Sequence, residues 1–231
     1  MRLHRFYINT PLEHTREIID DEKLIHQWRD VFRYNVGSEV IVFDGSGTEF
    51  DAVIEKLNNR EAELRLVSER EGIVPDREVV LYQSLIKKDK MEWVVEKATE
   101  LGVSKIIPII SERSEKKGLN LERARRIAIE ASEQCGRADV PVLGSIMGLE
   151  ECIMGAEGEK IVFDITGEPF SSSVIHNIYP ISLFVGPEGG WTEKEIEIFK
   201  ESNAKIFSLG KLTLRAETAA IVALTTSKLP D

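Results

Sequence analysis

Three short segments of this chain carry residue types that could bind a ligand at the ends of buried strands. They are residues 164–169, 185–192 and 208–218. The second segment places three glycines and a proline in five positions, and glycine permits positive φ angles and a close approach of the backbone to a ligand. In an open parallel sheet, ligands bind outside the carboxyl ends of the strands. These segments therefore predict a ligand site, although the second also fits an ordinary tight turn.

The second segment lacks the signatures of two common nucleotide-binding turns. No Gly-Lys-Ser/Thr follows it, as a phosphate-binding P-loop requires, and the dinucleotide pattern Gly-x-Gly-x-x-Gly is absent. In the third segment, Leu212 and Leu214 could either fill the core or cover an apolar part of a ligand. Arg215 and Glu217 follow at the start of an alanine-rich helix, where a glutamate is also favoured by the helix dipole alone.

The elements that must position these segments change in kind near residues 72–76. Residues 1–72 are mostly strand patterns with one amphipathic helix at 24–32, which predicts a small β-barrel. From residue 78 onward, near-continuous apolar strands alternate with amphipathic helices, the pattern of a parallel sheet covered on both faces. The strands are predicted at 78–86, 105–110, 160–165, 181–185 and 204–209. The fold class is therefore α/β for residues 73–231, preceded by the barrel.

Composition excludes several classes of protein. Hydrophobic residues make up 42% of the 231 positions, enough for a substantial core, and no apolar run is long enough to span a membrane. Two cysteines, Cys135 and Cys152, and four scattered histidines build neither a disulfide framework nor a zinc site. These features predict a cytoplasmic protein with reduced thiols, no metal and no membrane association.

The net charge of −10 argues against nonspecific binding of nucleic acid, because affinity for phosphate comes mostly from lysine and arginine. Local clusters of basic residues could still form a docking face, although each cluster by itself also fits a solvated charged surface. The clusters are Arg2 with Arg5, Lys87-Lys88 with Lys90, Arg113 with Lys116-Lys117, and Arg123 with Arg125-Arg126.

The glycine-rich segments together resemble a known family. Gly186-Pro187-Glu188-Gly189-Gly190, followed by Leu209-Gly210 and then Leu214-Arg215-Ala216-Glu217-Thr218-Ala219, resembles the ribosomal small-subunit uridine-N3 methyltransferase family. Arg5-Phe6 and the stretches 90–102, 111–114 and 130–137 match the same family in the same order. The resemblance covers essentially the whole chain, and its specificity comes from the order of all the motifs.

This resemblance implies a PUA-like β-barrel over 1–72 joined to a SPOUT methyltransferase domain over 73–231, whose parallel sheet ends in a deep trefoil knot. It implies S-adenosyl-L-methionine as cofactor, 16S ribosomal RNA within the small ribosomal subunit as substrate, and a homodimer in which each site is completed by the partner subunit. The residues implied for the cofactor are Asp164, Thr166, Val185, Gly186, Glu188, Gly190, Ser208, Leu209, Gly210, Leu212, Leu214 and Thr218.

Methylation of N3 of uridine requires loss of the N3 proton, which leaves negative charge on the two neighbouring carbonyl oxygens. We expect Glu217 to act as the base and Arg215 and Arg137 to stabilise the anion. The residues expected to contact RNA are Arg2, Arg5, Lys87, Lys88, Arg113, Arg123 and Arg126. Many family members have an arginine where this chain has Leu212, so the resemblance implies no RNA contact for Leu212 itself, and the neighbouring Lys211 could make that contact instead.

Three alternatives remain at this point. The chain could be a SPOUT methyltransferase that acts on another RNA site, which its barrel-like start and motif order disfavour. It could be an RNA-binding protein that has lost catalysis, which its intact Gly186, Gly210, Arg215 and Glu217 disfavour. It could also be an unrelated nucleotide-binding enzyme, which titration with S-adenosylmethionine would separate from the other two.

Overall fold

A computed structural model describes residues 3–114, 118–171 and 180–228, with the backbone alone at Lys228. The chain divides into two compact units, and the first combines Met1–Val74 with Ser132–Val140. The second unit combines Pro75–Ala131 with Pro141–Asp231. Within the described ranges, no helix has both the length and the apolar character needed to cross a membrane. Three of the basic residues named above, Arg2, Lys116 and Lys117, lie outside the described residues.

The first unit is built on a five-stranded sheet. Its elements are β1 (Arg5–Tyr7), β2 (Arg16–Ile19), α1 (Glu22–His26) followed by a π-helical turn (Gln27–Val31), β3 (Glu39–Phe43), β4 (Thr48–Leu57) and β5 (Ala62–Glu71). The strand order is β1-β3-β4-β5-β2, and only β1 and β3 run parallel. The predicted small β-barrel is present in part, as a curled, open half-barrel. Its edge strands, β1 and β2, have only three and four residues, and among the described residues they do not pair with each other.

The core of the first unit lies on one face of this sheet. Val40 and Val42 of β3 are fully buried, whereas Ile41 between them is only partly buried, as the two-residue period of a strand requires. Trp28, from the π-helical turn, packs edge-on against Phe6 with 5.4 Å between the ring centroids. The predicted amphipathic helix therefore exists, and its role is to close this core.

The segment Ser132–Val140 joins the first unit through backbone contacts. The amide of Ala138 donates to the carbonyl of Ile73 at 2.7 Å, and the amide of Gly47 donates to the carbonyl of Ala138 at 3.3 Å. A Cβ atom on Gly72 would overlap the Cβ of Ala138, so the close approach of the two chain segments requires glycine at position 72. This packing explains why a segment that is remote in sequence belongs to the N-terminal unit.

A buried carboxylate, that of Glu49, joins two arginines of the first unit. It accepts a hydrogen bond from Arg5 and a second one, of 2.8 Å, from Nε of Arg70. Arg5 also donates to the backbone carbonyl of Arg137 at 3.2 Å. Because buried charges are costly unless they are paired, the carboxylate of Glu49 allows the Arg5 side chain to be only 9% exposed.

We expect Glu49→Ala to lower the free energy of unfolding by about 3 kcal/mol, because it leaves the nearly buried Arg5 guanidinium without its carboxylate, whereas Arg70 keeps its second partner, Asp51, at 2.6 Å. Urea unfolding followed by circular dichroism measures this change. Glu55→Ala is the matched control, since Glu55 also accepts from two arginines, Arg16 and Arg65, but at the surface. Equal losses in the two variants would contradict the assignment of Glu49 as the buried anchor.

The second unit is a parallel α/β sheet. Its elements are β6 (Val79–Ser84), α2 (Lys88–Glu100), β7 (Lys105–Ile110), α3 (Leu121–Cys135, whose end lies in the first unit), β8 (Val142–Leu143), β9 (Met147–Gly148), α4 (Leu149–Gly155), β10 (Glu159–Pro169), β11 (Ile181–Val185), α5 (Glu193–Glu201), β12 (Lys205–Ser208) and α6 (Ala216–Lys228). The order is β12-β10-β11-β6-β7-β8, with β9 also paired to β7. All five predicted strands and the capping box of Thr192 and Glu195 are confirmed. The short elements β8, β9 and α4 were not predicted.

Strand β10 is interrupted at the segment that the sequence analysis singled out. Its pairing with β12 shifts in register between Phe163 and Glu168, so the residues between them bulge out of the ladder. A Cβ atom on Gly167 would lie 2.6 Å from the backbone of Phe207, which means that glycine is needed where the strand returns to its neighbour. The bulge places Asp164 and Ile165 beside the ends of β11 and β12.

Candidate functional site

The three glycine-bearing segments meet because the strands that they follow are neighbours. Strand β10 lies between β11 and β12, all three run parallel, and their carboxyl ends therefore lie at one edge of the sheet. The segments enclose a pocket at that edge. Its lining consists of Phe163, Asp164, Ile165, Val185, Gly186, Pro187, Glu188, Gly190, Trp191, Ser208, Leu209, Gly210, Leu212, Thr213, Leu214, Ala216 and Ala219.

Trp191 forms one wall of the pocket and explains the first glycine of its loop. The indole Nε1 donates to the carbonyl of Phe163 at 3.2 Å, which fixes the ring under the end of β10. A Cβ atom on Gly186 would come within 3.2 Å of the ring atoms of Trp191. No role was predicted for Trp191, although a tryptophan directly after a glycine-rich turn indicates an aromatic wall.

Two other glycines face open space rather than protein. Gly190 has a φ of +67° and Gly210 a φ of +125°, and no atom would lie within 4 Å of a Cβ built on either residue. Leu212 is 81% exposed, so it does not fill the core, and the alternative, that it covers part of a ligand, is favoured. Bare backbone beside apolar side chains suits a molecule that combines an adenine ring with polar groups, so the residues present fit S-adenosylmethionine.

Ten of the twelve residues predicted for the cofactor line this pocket. They are Asp164, Val185, Gly186, Glu188, Gly190, Ser208, Leu209, Gly210, Leu212 and Leu214. Thr166 is not among the lining residues, but its amide and hydroxyl donate to Oδ1 of Asp164 at 2.9 and 2.6 Å, so it orients that carboxylate. Thr218 is exposed on α6 and does not line the pocket either. Their direct contact with a cofactor stays a prediction.

Arg113, predicted to contact RNA, holds the second glycine-bearing loop. Its Nη1 donates to the carbonyl of Gly189 at 2.9 Å and to that of Trp191 at 3.3 Å. A Cβ atom on Gly189 would come within 3.3 Å of the Arg113 side chain. The amide of the preceding residue, Glu112, donates to Oε1 of Glu195 at 2.8 Å. Arg113 therefore holds the loop that lines the pocket, a structural role that the sequence did not indicate.

The predicted base lies beside the pocket on the first turn of α6. Glu217 is flanked along the chain by Ala216, which lines the pocket, while its own carboxylate is 10% exposed and lies 3.3 Å from Nζ of Lys90. Lys90 belongs to the first turn of α2, and just before that helix the amide of Lys87 lies 3.5 Å from Oε1 of Glu188. The structure thus brings Glu217 together with a lysine that the sequence analysis did not assign to catalysis.

The two arginines predicted to stabilise an anion are in different settings. Arg215 is exposed next to the start of α6. Arg137 belongs to the first unit, is 4% exposed and donates to both carboxylate oxygens of Asp139, at 2.8 and 2.6 Å. Burial and the bidentate pair with Asp139 favour a structural role for Arg137 over direct contact with a substrate.

The predicted RNA contacts also differ in accessibility. Arg5 is buried and paired with Glu49, so its guanidinium is not available to a phosphate in this structure. Arg123 is exposed but donates to both oxygens of Glu92, at 2.6 and 2.9 Å, and this hydrogen bonding lowers the pKa of the Glu92 carboxyl. The exposed basic residues in the described part of the second unit include Lys87, Lys88 (3.8 Å from Glu92), Arg113, Arg125 and Arg126.

The fold and the pocket define an RNA methyltransferase class of protein. Residues 74–228 match the family model of an RNA methyltransferase domain, and residues 29–67 match that of an RNA methyltransferase PUA domain. The chain belongs to the ribosomal RNA small subunit methyltransferase E family. Among the described residues, no group of three or more histidine, cysteine, aspartate or glutamate side chains could hold a metal ion.

Individual relatives agree over nearly the whole length. The chain is 31% identical to ribosomal RNA small subunit methyltransferase E of Rickettsia conorii, covering 99% of this chain and 96% of that protein. The crystal structure of the Neisseria gonorrhoeae enzyme of the same name, bound to S-adenosylmethionine, is similar with a TM-score of 0.88 and 31% identity, covering 97% and 96% of the two chains. A methyltransferase of Legionella pneumophila in complex with S-adenosylmethionine has a TM-score of 0.89 at 28% identity, covering 99% and 98%.

Proposed function

We propose that this protein transfers a methyl group from S-adenosylmethionine to N3 of one specific uridine in 16S ribosomal RNA of the small ribosomal subunit. The observation that carries the proposal is the pocket formed by the ends of β10, β11 and β12 in a chain that belongs to the small subunit methyltransferase E family. Its place of action is then the cytoplasm, where the small subunit is assembled.

We propose that the three loops hold the cofactor in a deep trefoil knot. The bulge at residues 164–167, the close passage of Gly167 against Phe207 and the glycine-rich loop after β11 support a compact crossing of chain segments at this edge. In this arrangement the backbone groups of Gly186, Gly190 and Gly210 approach the cofactor, and Leu212 and Leu214 cover its apolar part. When bound, S-adenosylmethionine supplies an electrophilic methyl group.

We further propose a homodimer in which the partner subunit completes each site. The support from this chain is the final helix, α6, where Ile221 and Val222 remain partly exposed although the helix already buries Ala220, Ala223 and Leu224. An alanine-rich helix with apolar side chains left at its surface suits a second packing partner. Sedimentation at micromolar concentration tests this proposal, and a monomer would contradict it.

The protein's chemical task is to remove the N3 proton and to stabilise the charge that remains. Glu217 is the base in this proposal, since a positioned carboxylate contributes about 10²–10⁴-fold. Arg215, exposed beside it in sequence, is available to face the carbonyl oxygens of the uracil. Arg137 stabilises its own segment rather than contacting the substrate, because its guanidinium is buried against Asp139.

The test of the function is direct mapping of the product. Small subunits from a strain that lacks the gene are incubated with the protein and S-adenosylmethionine, and the ribosomal RNA is digested and analysed by mass spectrometry. We expect one new methyl group, on N3 of a single uracil of 16S ribosomal RNA. A methyl group on a ribose, on another base or on transfer RNA would contradict the proposal.

The substrate is expected to be an RNA presented in a fixed shape. The chain's 40 acidic residues outnumber its 30 lysines and arginines, so its net charge of −10 weakens attraction to naked RNA. A short oligonucleotide bearing the target uridine should therefore be methylated much more slowly than the intact subunit. Equal rates would show that the acidic composition does not limit binding of free RNA.

The docking face is expected to include the exposed basic side of α3. Replacing Arg123, Arg125 and Arg126 by glutamate should weaken binding to the small subunit and leave cofactor binding unchanged, because phosphate contacts of this kind act through charge. Filter binding at two salt concentrations measures the loss. Replacing Lys105, Lys194 and Lys200 by glutamate is the control with the same change in net charge, and equal weakening would contradict a local docking face.

A further inference from the structure

The ion pair between Lys90 and Glu217 suggests a second catalytic residue. We infer that Lys90 supplies the cation that stabilises the uracil anion formed when N3 loses its proton. This inference rests on the proposed function, in which Glu217 is the base. The observation behind it is the 3.3 Å distance between Nζ of Lys90 and Oε1 of Glu217 at the start of α6.

The geometry of uracil connects the base with the cation. A carboxylate takes the N3 proton across about 2.6–3.2 Å, and both carbonyl carbons of the uracil ring are bonded directly to N3. A uracil placed with N3 against Oε1 of Glu217 therefore brings one carbonyl oxygen to the vicinity of any cation beside Oε1. Lys90 is that cation, and its ammonium has three N–H donors, so it can contact both a carboxylate and a carbonyl oxygen.

The two side chains of this ion pair differ in their exposure to solvent. The carboxylate side chain of Glu217 is 10% exposed, whereas the side chain of Lys90 is 39% exposed, so the ammonium lies on the more open side of the pair. Because the Glu217 carboxylate is nearly buried, its pairing with Lys90 offsets the cost of burying that charge. The same ammonium lies where a substrate base could also reach it, so it can stabilise a second anion beside the carboxylate.

The position of α2 brings this lysine to the edge of the pocket. The amide of Lys87, directly before the helix, lies 3.5 Å from Oε1 of Glu188, and Glu188 lines the pocket. Lys90 follows one turn later and reaches Glu217, the chain neighbour of the pocket residue Ala216. The start of α2 thus lies alongside two of the pocket's loops, where a substrate base must approach.

The charge balance of the step is simple. The N3 proton moves to the Glu217 carboxylate, which becomes neutral, and the negative charge passes to the uracil ring and its two oxygens. The Lys90 ammonium keeps its proton throughout and changes partner from the carboxylate to the uracil anion. N3 then forms its bond to the methyl group as the methyl–sulfur bond breaks, which neutralises the uracil anion and the sulfonium together, and Glu217 returns its proton to solvent. Lys90 therefore takes the role of anion stabiliser that the sequence analysis gave to Arg137, whose guanidinium is buried against Asp139.

The test compares Lys90→Met, Lys90→Arg and Glu217→Gln in full-length protein. Methyl transfer to small subunits is measured at saturating cofactor, and binding of S-adenosylmethionine is measured separately by calorimetry. We expect Lys90→Met to lower kcat by about 100-fold with little change in KM, since one donor to a developing anion contributes about 10²–10³-fold. Lys90→Arg should recover at least a tenth of the rate because it keeps the cation. Cofactor affinity should stay unchanged in all three variants.

Lys97→Met is the matched control on the same helix. Lys97 pairs with Glu96 and Glu100 at 2.7 and 2.8 Å on the surface of α2, and its loss should leave kcat unchanged. The double variant Lys90→Met/Glu217→Gln should be little slower than the slower single variant, because both residues act on one step.

Each outcome bears on one of the two proposals. If Glu217→Gln loses activity while Lys90→Met keeps the full kcat, the inference about Lys90 is overturned and the base assignment stands. If Glu217→Gln is fully active, the base assignment itself fails. Should Lys90→Met prove unstable in thermal melting, Lys90→Arg decides the question, since a folded arginine variant without recovered activity would overturn the inference.

Discussion

Glu217→Gln is expected to lower kcat for methylation of the small subunit by about 10²–10⁴-fold, with little effect on cofactor binding. Glutamine keeps the size of the side chain but cannot accept the N3 proton. The carboxylate is 10% exposed and lies on the first turn of α6, next in the chain to the pocket residue Ala216. Single-turnover rates with saturating subunits and S-adenosylmethionine give the loss, and calorimetry gives the cofactor affinity.

The alternative for Glu217 is a structural carboxylate at the start of a helix. Glu193→Gln tests this alternative, because Glu193 is an exposed first-turn glutamate of α5 and its replacement changes the same interaction with the helix dipole. We expect Glu193→Gln to keep the full rate. A Glu217→Gln protein that is as active as Glu193→Gln would leave Glu217 with only the structural role.

Gly210→Val is expected to weaken binding of S-adenosylmethionine by at least about 100-fold, which corresponds to about 2.7 kcal/mol. Two effects add at this position. The φ of +125° disfavours any residue with a Cβ, and the space that the side chain would occupy is open pocket, where no protein atom lies within 4 Å. Calorimetric titration of the folded variant measures the affinity.

Gly37→Val separates these two effects. Gly37 has a φ of +92°, and a Cβ atom added to it would also have no other atom within 4 Å, but it belongs to the first unit and does not line the pocket. Both variants should melt at a lower temperature, because both carry backbone strain. Only Gly210→Val should lose cofactor affinity, and unchanged affinity in that variant would remove Gly210 from the cofactor site.

The sequence by itself determined the alternation of strands and helices in the second unit. A buried parallel strand needs a continuous apolar run, and this local requirement can be read from Lys105–Ile110 or Ile181–Val185 without any partner. The capping box of Thr192 and Glu195 could be read for the same reason, since its two residues are three positions apart. The glycine-rich segments could also be singled out from the sequence, because positive φ is a property of single residues, and in the structure these segments line one pocket.

Only the tertiary structure decided which charged groups are free and which are paired. In the sequence alone, an arginine paired within the protein looks the same as one that contacts RNA. The structure pairs Arg5 with Glu49, Arg137 with Asp139, and Arg113 with the carbonyls of residues 189 and 191. These partners are between 2 and 78 positions away in the chain. Spacing carries no information about the partners of Arg5 and Arg113, because these pairs form through packing of separate elements. Arg137 and Asp139 are close in the chain, but only the fold shows that this pair is buried.

The same limit applies to the site itself. The sequence predicted a role for Glu217 but not for Lys90, since 127 positions separate them and only the packing of α2 beside α6 brings the ammonium within 3.3 Å of the carboxylate. The sequence likewise predicted Gly186 but not the Trp191 ring that packs against it. It predicted a small barrel but not that two short edge strands leave the sheet open. Local periodicity follows from the chain's own covalent geometry, whereas pairing across elements depends on which surfaces the folded core brings into contact.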